Sequence, residues 1–324
     1  MFDDKMHRYI QLRSEITQME GYNAILENHR LANSINIFDT NYVELIQLIN
    51  YMEQNIEAKK LLSLQGHKQL HMIDIELLRR LHNFVAGAKS LVDHTRRIYN
   101  KYYKHNNIFP EYTKVVRNTF ATDPLSQFVQ DLREYCQHYR TLSLIYVTRF
   151  TRETQEEIRE VALQVEDLLS YDGWSSTAKQ YFHEKGDNIP ISRAIQEYRE
   201  KVLQFYKWFQ EEQHRIHETA LNEYKAKETE MILIQLEVQL NSIIANITSQ
   251  HRLHPDSPFV YIFSKEDLQK LQNKPISDPD RLDYVLTLLN SYFPVPEHIR
   301  ELIKLLYQKL SEINMPTQEQ EPPA

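Results

Sequence analysis

From Ser192 to Gln250 the chain runs without a single glycine or proline, and no other feature limits its fold as strongly. A stretch that long without a breaker reads as helix, because strands are punctuated every few residues by turn formers. The rest of the chain agrees, with only 5 glycines among 324 residues. All-β folds spend glycine at turns, where positive φ angles are required. The expectation is therefore a mainly α protein, a helical bundle with long helices. Within the stretch, Lys207 to Glu230 is highly charged and Met231 to Ile247 highly apolar. That change of character suggests a long antiparallel hairpin or a partner-binding helix rather than one uniform coiled coil. Tyr198, Phe205, Tyr206, Trp208 and Phe209 make an aromatic patch near its start. Core packing accounts for the patch; a base-stacking platform would need positive charge around it.

Apolar spacing divides the remainder. Phe2 to Leu31 reads as helix, Asn33 to Thr40 as a connector, and Asp39 or Thr40 as the cap of a helix running to Ile56. Gly66 marks a break. Met72 to Tyr103 then carries Leu77, Leu78, Leu81, Phe84, Val85, Ala88, Leu91, Val92 and Ile98 in the i, i+3, i+4 rhythm of a buried stripe. Its far end gathers Lys89, Arg96, Arg97, Lys101, Lys104 and His105, which suits the negative end of a helix dipole. Asp123-Pro124 is a helix start, since proline at the first helical position loses no hydrogen bond. The helix that follows places Leu125, Phe128, Val129, Leu132, Tyr135, Cys136 and Tyr139 on one face. From Leu142 to Phe150, and again from Val161 to Val165, the period falls to two, which predicts a small β-hairpin, although a helix over Glu153–Leu169 also fits. Glu166 to Lys185, with Trp174, reads as helix, and Gly186 to Pro190 as a stop. Prolines between Pro255 and Pro279 mark an irregular linker before two short helices, Arg281–Tyr292 and Glu297–Ile313, and a polar tail expected to be disordered. The organisation expected is an N-terminal helical segment (1–65), a helical bundle (66–150), a hairpin strand with a long helical extension (151–250), and C-terminal helices with the tail (251–324).

A formal charge of -7 argues against a protein that grips duplex DNA through its overall field, while leaving room for a local basic site. With Cys136 the sole cysteine, intrachain disulfides and multi-cysteine zinc sites are excluded. The first residues lack the apolar run of a signal peptide and no stretch nears 18 uncharged apolar residues, so the expected address is the cytoplasm, with no membrane partner. Neither a glycine-rich phosphate loop nor a G-x-S-x-G elbow occurs. His67 and His71 share the i, i+4 spacing of a ligand pair, His214 and His217 lie on a charged face, and His251 and His254 flank Pro255. Two ligands fall short of zinc's three or four, so these histidines read as structural or solvated and no metal or cofactor is expected.

The sharpest local feature is Asp131-Leu132-Arg133-Glu134-Tyr135-Cys136-Gln137-His138. An imidazole with an ordinary pKa near 6.5 moves protons at neutral pH, and a guanidinium holds phosphate oxygens through paired hydrogen bonds. At about 100° per residue, Arg133 and His138 lie roughly 140° apart on a regular helix. They converge if the helix ends near Gln137, or if two copies each lend one residue.

The segment resembles the R-x4-6-H signature of the HEPN superfamily (higher eukaryotes and prokaryotes nucleotide-binding domain), matched here as Arg133-x4-His138. The run Asn83 to His94 is similar to the early helix of such proteins, which precedes the signature helix in a small bundle. The resemblance covers about Met72 to Phe150. It implies a metal-independent endoribonuclease, often a toxin or phage-defence effector, with a site shared across a homodimer. Arg133 would steady the phosphate, His138 would act as base or acid, Asp93 and Glu134 would orient it, and Arg96, Arg97 and Lys101 would hold RNA. Glu134 stands where the family commonly has asparagine, aspartate or histidine. The alternative expectation is a non-catalytic scaffold that uses the bundle for dimerisation or for nucleotide or RNA binding, with an antitoxin or other protein partner bound by Ser192–Gln250.

Overall fold

The computed structural model describes residues 2–151, 156–247, 256–275 and 280–314. Among them are twelve α-helices and one three-stranded sheet, so the chain is mainly α with a small hairpin. In chain order the elements begin with α1 (Phe2–Ile16), α2 (Glu20–Gln54), α3 (Ile56–Leu61), α4 (His67–Tyr102), α5 (Tyr112–Val116) and α6 (Pro124–His138). Then come β1 (Leu144–Thr151), β2 (Glu156–Gln164), α7 (Val165–Leu169), α8 (Ser176–Lys185), β3 (Asn188–Pro190) and α9 (Ile191–Asn246). Last are α10 (Lys265–Gln272), α11 (Asp280–Tyr292) and α12 (Glu297–Asn314). The chain forms two compact units: residues 24–218, and residues 1–23 with 219–324. No helix among the described residues is long and apolar enough to cross a membrane.

The larger unit is built on α4. Its buried side chains are Leu77, Leu81, Phe84, Val85, Ala88, Leu91, Thr95 and Ile98, which is the stripe expected from spacing with Thr95 added and with Leu78 and Val92 only half-buried at its edges. Thr95 is tolerated because its hydroxyl bonds the Leu91 carbonyl at 2.8 Å and meets the Tyr206 hydroxyl at 2.7 Å. Against this stripe lie α2, α6 and the first half of α9, whose Tyr198, Phe205, Tyr206 and Phe209 are buried in the same core. The aromatic patch is thus core, with Phe109 and Phe209 stacked at 5.4 Å and Phe38 tilted against Phe84 at 5.1 Å. The sheet has the order β1-β2-β3 and is antiparallel throughout, with Tyr146 opposite Val161 and Leu163 opposite Ile189.

Several sequence expectations are corrected. Asn33–Thr40 is no connector: α2 runs straight through it, because Leu31, Phe38, Leu45 and Met52 recur every seventh residue and are all buried. The break lies earlier, at Thr17–Met19. Ser192 onward forms no hairpin; α9 is one helix of 56 residues, since nothing in its sequence interrupts the backbone hydrogen bonds. Glu166–Lys185 is interrupted at residues 170–175, where Trp174 turns inward to donate to the Leu168 carbonyl at 2.7 Å and Ser175 caps α8. The stop at Gly186–Pro190 holds β3, a strand short enough for Pro190 to end it. Gly186 itself, at φ 76° and ψ -136°, takes a positive-φ conformation open to glycine where α8 ends. The linker between Pro255 and Pro279 contains α10, capped by Ser264, whose side chain accepts from the Asp267 amide. His251, His254, the hairpin turn at 152–155 and the tail from Pro316 lie outside the described residues.

One carboxylate completes the sheet. β3 pairs only with Ala162 to Gln164, and just beyond it the Val161 amide donates to Glu53 Oε1 at 3.0 Å, as does the Ser192 hydroxyl at 3.2 Å. Burial pushes the Glu53 carboxyl above the ordinary carboxylate range, and the neighbouring Glu160 adds to it, against the opposing pull of those two hydrogen bonds. A raised folded-state pKa means that protonation favours the fold, so this stabilisation is present in acid and lost as pH rises through the folded value. Glu53→Gln keeps the accepting oxygen and removes the charge. It is expected to raise the melting temperature near pH 8 and to leave it unchanged near pH 4. A lower melting temperature near pH 8 would overturn this assignment.

In the second unit α1 lies along the C-terminal part of α9, with Arg8 bonded to Glu230 at 2.9 Å and with the ion pairs Lys5–Glu237 and Lys227–Glu15. A side chain at Gly21 would overlap the Ala220 carbonyl, so glycine is what permits α2 and α9 to approach there. Leu236, Leu240, Phe259, Leu271, Val285, Leu289, Ile299, Ile303 and Leu306 form the core of this unit.

Candidate functional site

The signature helix is fixed at several points. Asp123 caps α6 by accepting from the Ser126 amide at 2.8 Å and pairs with Lys201. Asp131 accepts from the Ser175 amide at 2.8 Å, tying the middle of α6 to the start of α8. Beyond the helix, Arg140 donates to the Tyr135 hydroxyl at 2.6 Å and to the Asp167 carbonyl at 2.9 Å. The buried side chains Leu125, Phe128, Val129, Leu132 and Tyr135 hold one face, leaving Arg133, Glu134 and His138 outside it.

α6 stays helical through His138, so Arg133 and His138 keep their angular separation on the helix. Their side chains nonetheless meet at a third group. Glu134 falls between them in angle, and its Oε1 accepts from Arg133 Nη1 while its Oε2 lies 3.5 Å from His138 Nε2. The imidazole is open to solvent, its side chain 66% exposed, against 25% for Arg133. Arg133 Nε is enclosed without a protein acceptor among the described residues. The result is a cation, a carboxylate and an imidazole on one exposed helix end.

The other expected residues are not brought there. Asp93 pairs within α4, 3.4 Å from Lys89 and 3.5 Å from Arg96, on an exposed face. Lys101 bonds the Tyr102 hydroxyl at 2.5 Å and lies 3.7 Å from Glu27. Cys136 and His82 line one cleft. Asp93 is about 16 Å further along α4 than His82, at a rise of about 1.5 Å per residue, and Arg96, Arg97 and Lys101 are further still. The buried histidine is His217, with Nε2 3.0 Å from the Tyr103 hydroxyl. Among the described residues no group of three or more potential ligands is arranged to hold a metal ion.

The cleft itself escaped the sequence. It measures about 320 Å³ and opens between α4, which supplies Ile75, Leu78, Arg79 and His82, and the end of α6, which supplies Cys136; Thr141 and Leu142 close it. Arg79 and His82 stand three apart on one face of α4, a spacing that is visible in sequence but carries no meaning until the end of α6 is placed beside it. Burial pushes the Cys136 thiol up to about 12, so at neutral pH it is a wall of the cleft and not a nucleophile.

No family model matches the chain, and no curated protein or solved structure does so either.

Proposed function

We propose that the chain is a metal-independent endoribonuclease of the HEPN type, cutting single-stranded or looped RNA as a homodimer. The observation that supports this most is the Glu134 carboxylate in contact with both Arg133 and His138 at an exposed helix end. With Nε2 of His138 facing Glu134, Nδ1 is the nitrogen left to take the proton from a ribose 2′-hydroxyl. The freed oxygen attacks the adjacent phosphorus, the bond to the 5′-oxygen breaks, and that oxygen takes up a proton. Arg133 neutralises the charge that gathers on the phosphoryl oxygens between those events. The products are a 2′,3′-cyclic phosphate and a 5′-hydroxyl. Arg96, Arg97 and Lys101 fit backbone contacts several nucleotides away, and Asp93 is assigned no step. Cleavage with little sequence readout suits a toxin or defence effector held in check by a partner.

The test is direct. The purified chain, incubated in EDTA with single-stranded and stem-loop oligoribonucleotides, is expected to release fragments ending in cyclic phosphate. No cleavage of either substrate class would remove the enzymatic reading.

A further inference from the structure

The cleft between α4 and the end of α6 has a composition that neither a packing fault nor a surface dimple explains. Its floor is apolar, made by Leu78, Leu142 and the protonated Cys136 thiol, and its mouth carries the exposed Ile75, Arg79 and His82. At about 320 Å³ it sits at the small end of the range of about 300–1,000 Å³ that ligand clefts span, which is room for one nucleotide and not for a stacked run. Among the described residues no carboxylate lines it. Glu76, next to Ile75 in sequence, is held by Arg79 at 2.7 Å and by Arg80 at 2.7 Å, and those two arginines depress its carboxyl to about 2. A slot with apolar walls, a guanidinium plane and an imidazole ring on its rim, and no negative charge inside, is suited to a flat heterocycle attached to a phosphate.

Single-stranded RNA is read in this way: unstacked bases are splayed out, laid against histidine or arginine planes, and bonded at their edges. The slot adjoins the candidate site on the Arg133 side, since Cys136 lies three residues beyond Arg133 on the same face of α6 and Thr141 follows three residues after the helix ends at His138. We propose that this cleft is a base-binding subsite that receives one unstacked ribonucleotide next to the scissile phosphate. His82 and Arg79 stack against the base, and the hydroxyl of Thr141 reads its edge. This rests on the endoribonuclease reading for the identity of its ligand, and it assigns to Ile75, Arg79, His82 and Thr141 a role in choosing the nucleotide at the cut.

Binding and cleavage separate the two ideas. The full chain is titrated calorimetrically with each of the four ribonucleoside 5′-monophosphates, with ribose 5-phosphate and inorganic phosphate as controls without a base. At least one nucleotide is expected to bind more tightly than either control. Thr141→Trp and Ile75→Trp, both at exposed positions that tolerate a larger side chain, are expected to fill the slot and abolish that binding. His82→Ala is expected to weaken it by about tenfold, the size of a lost base stack. His138→Ala should bind as the wild type does. In an RNA-cleavage assay the two tryptophan variants are expected to alter the base preference at the cut while still cutting. Equal binding of nucleotides and controls, or tryptophan variants that bind like the wild type, would overturn the subsite even if RNA is cleaved. Specific nucleotide binding with no RNA cleavage would leave the subsite standing and remove the endoribonuclease.

Discussion

Alanine at His138 is expected to lower RNA cleavage by about 10²–10⁴-fold, the usual contribution of a positioned proton-transfer group, without changing the melting temperature. Both halves of that expectation follow from where the side chain lies. His138 is 66% exposed, and its ion-pair neighbour is Glu134 at 3.5 Å, so the fold draws little from it. Exposed substitutions of this kind stay within about 0.5 kcal/mol, and alanine is a better helix former than histidine. The loss therefore belongs to the chemical step. Two companions refine the assignment. Arg133→Lys keeps the charge but loses the planar fork, and should reduce the rate while leaving the binding of uncleaved RNA nearly intact. Glu134→Gln keeps the shape and removes the charge that faces both partners, and is expected to lower the cleavage rate without changing the melting temperature. A His138→Ala protein that cuts RNA at the wild-type rate would show that the activity lies elsewhere.

How much of this was readable from sequence depends on whether a residue's partner is near in the chain. α4 and α6 were legible because their apolar stripes are strong and their starts are marked: Asp123-Pro124 opens α6 where the sequence said it would. The hairpin was legible because a change of period is a local signal, with Leu144 opposite Leu163 and Tyr146 opposite Val161. α2 was misread for the opposite reason. Asn33, Ser34, Asn36, Asp39 and Thr40 are residues that favour caps and turns, and only the seven-residue recurrence from Leu31 through Phe38 to Leu45 reveals that one face is buried. α10 was hidden by the prolines around it. The site divides in the same way. Arg133, Glu134 and His138 share one helix, so their spacing could be seen, although the carboxylate on which both side chains converge is a matter of side-chain conformation. The cleft could not be seen, because Arg79 and His82 meet Cys136 and Thr141 only through the packing of two helices far apart in the chain. Asp93 is the converse case: it lies on the helix that also lines the cleft, about three turns beyond His82, and pairs with Lys89 and Arg96 of its own helix.

Replacing Arg281 with alanine is expected to destabilise the unit formed by residues 1–23 and 219–324 by about 3–5 kcal/mol, the cost of breaking a buried ion pair by removing one of its members. Arg281 is only 2% exposed and is the largest of the fully buried side chains. Its guanidinium donates to Asp256 Oδ1 at 2.6 Å, to the Lys274 carbonyl, and to the Tyr307 hydroxyl at 3.4 Å. From the first turn of α11 it therefore joins the segment that follows α9, the end of α10 and α12. Those segments come from separate parts of the sequence, so one five-donor side chain ties together what no backbone ladder joins in the described residues. Alanine would remove all three links, among them the bond to the Asp256 carboxylate, itself 0% exposed. The double substitution Arg281→Met with Asp256→Leu removes both charges and fills similar volume, and should recover most of the loss, because a buried pair contributes little against well-packed apolar groups. Both tryptophans, Trp174 and Trp208, lie in the other unit, so fluorescence is the wrong readout. Amide exchange at Val285, Leu289, Ile303 and Leu306 is the right one: protection there should fall about 10²-fold or more in the single variant and return in the double. Unchanged protection in Arg281→Ala would mean that the apolar core of Leu236, Leu289 and Ile303 holds these helices together without the charge pair.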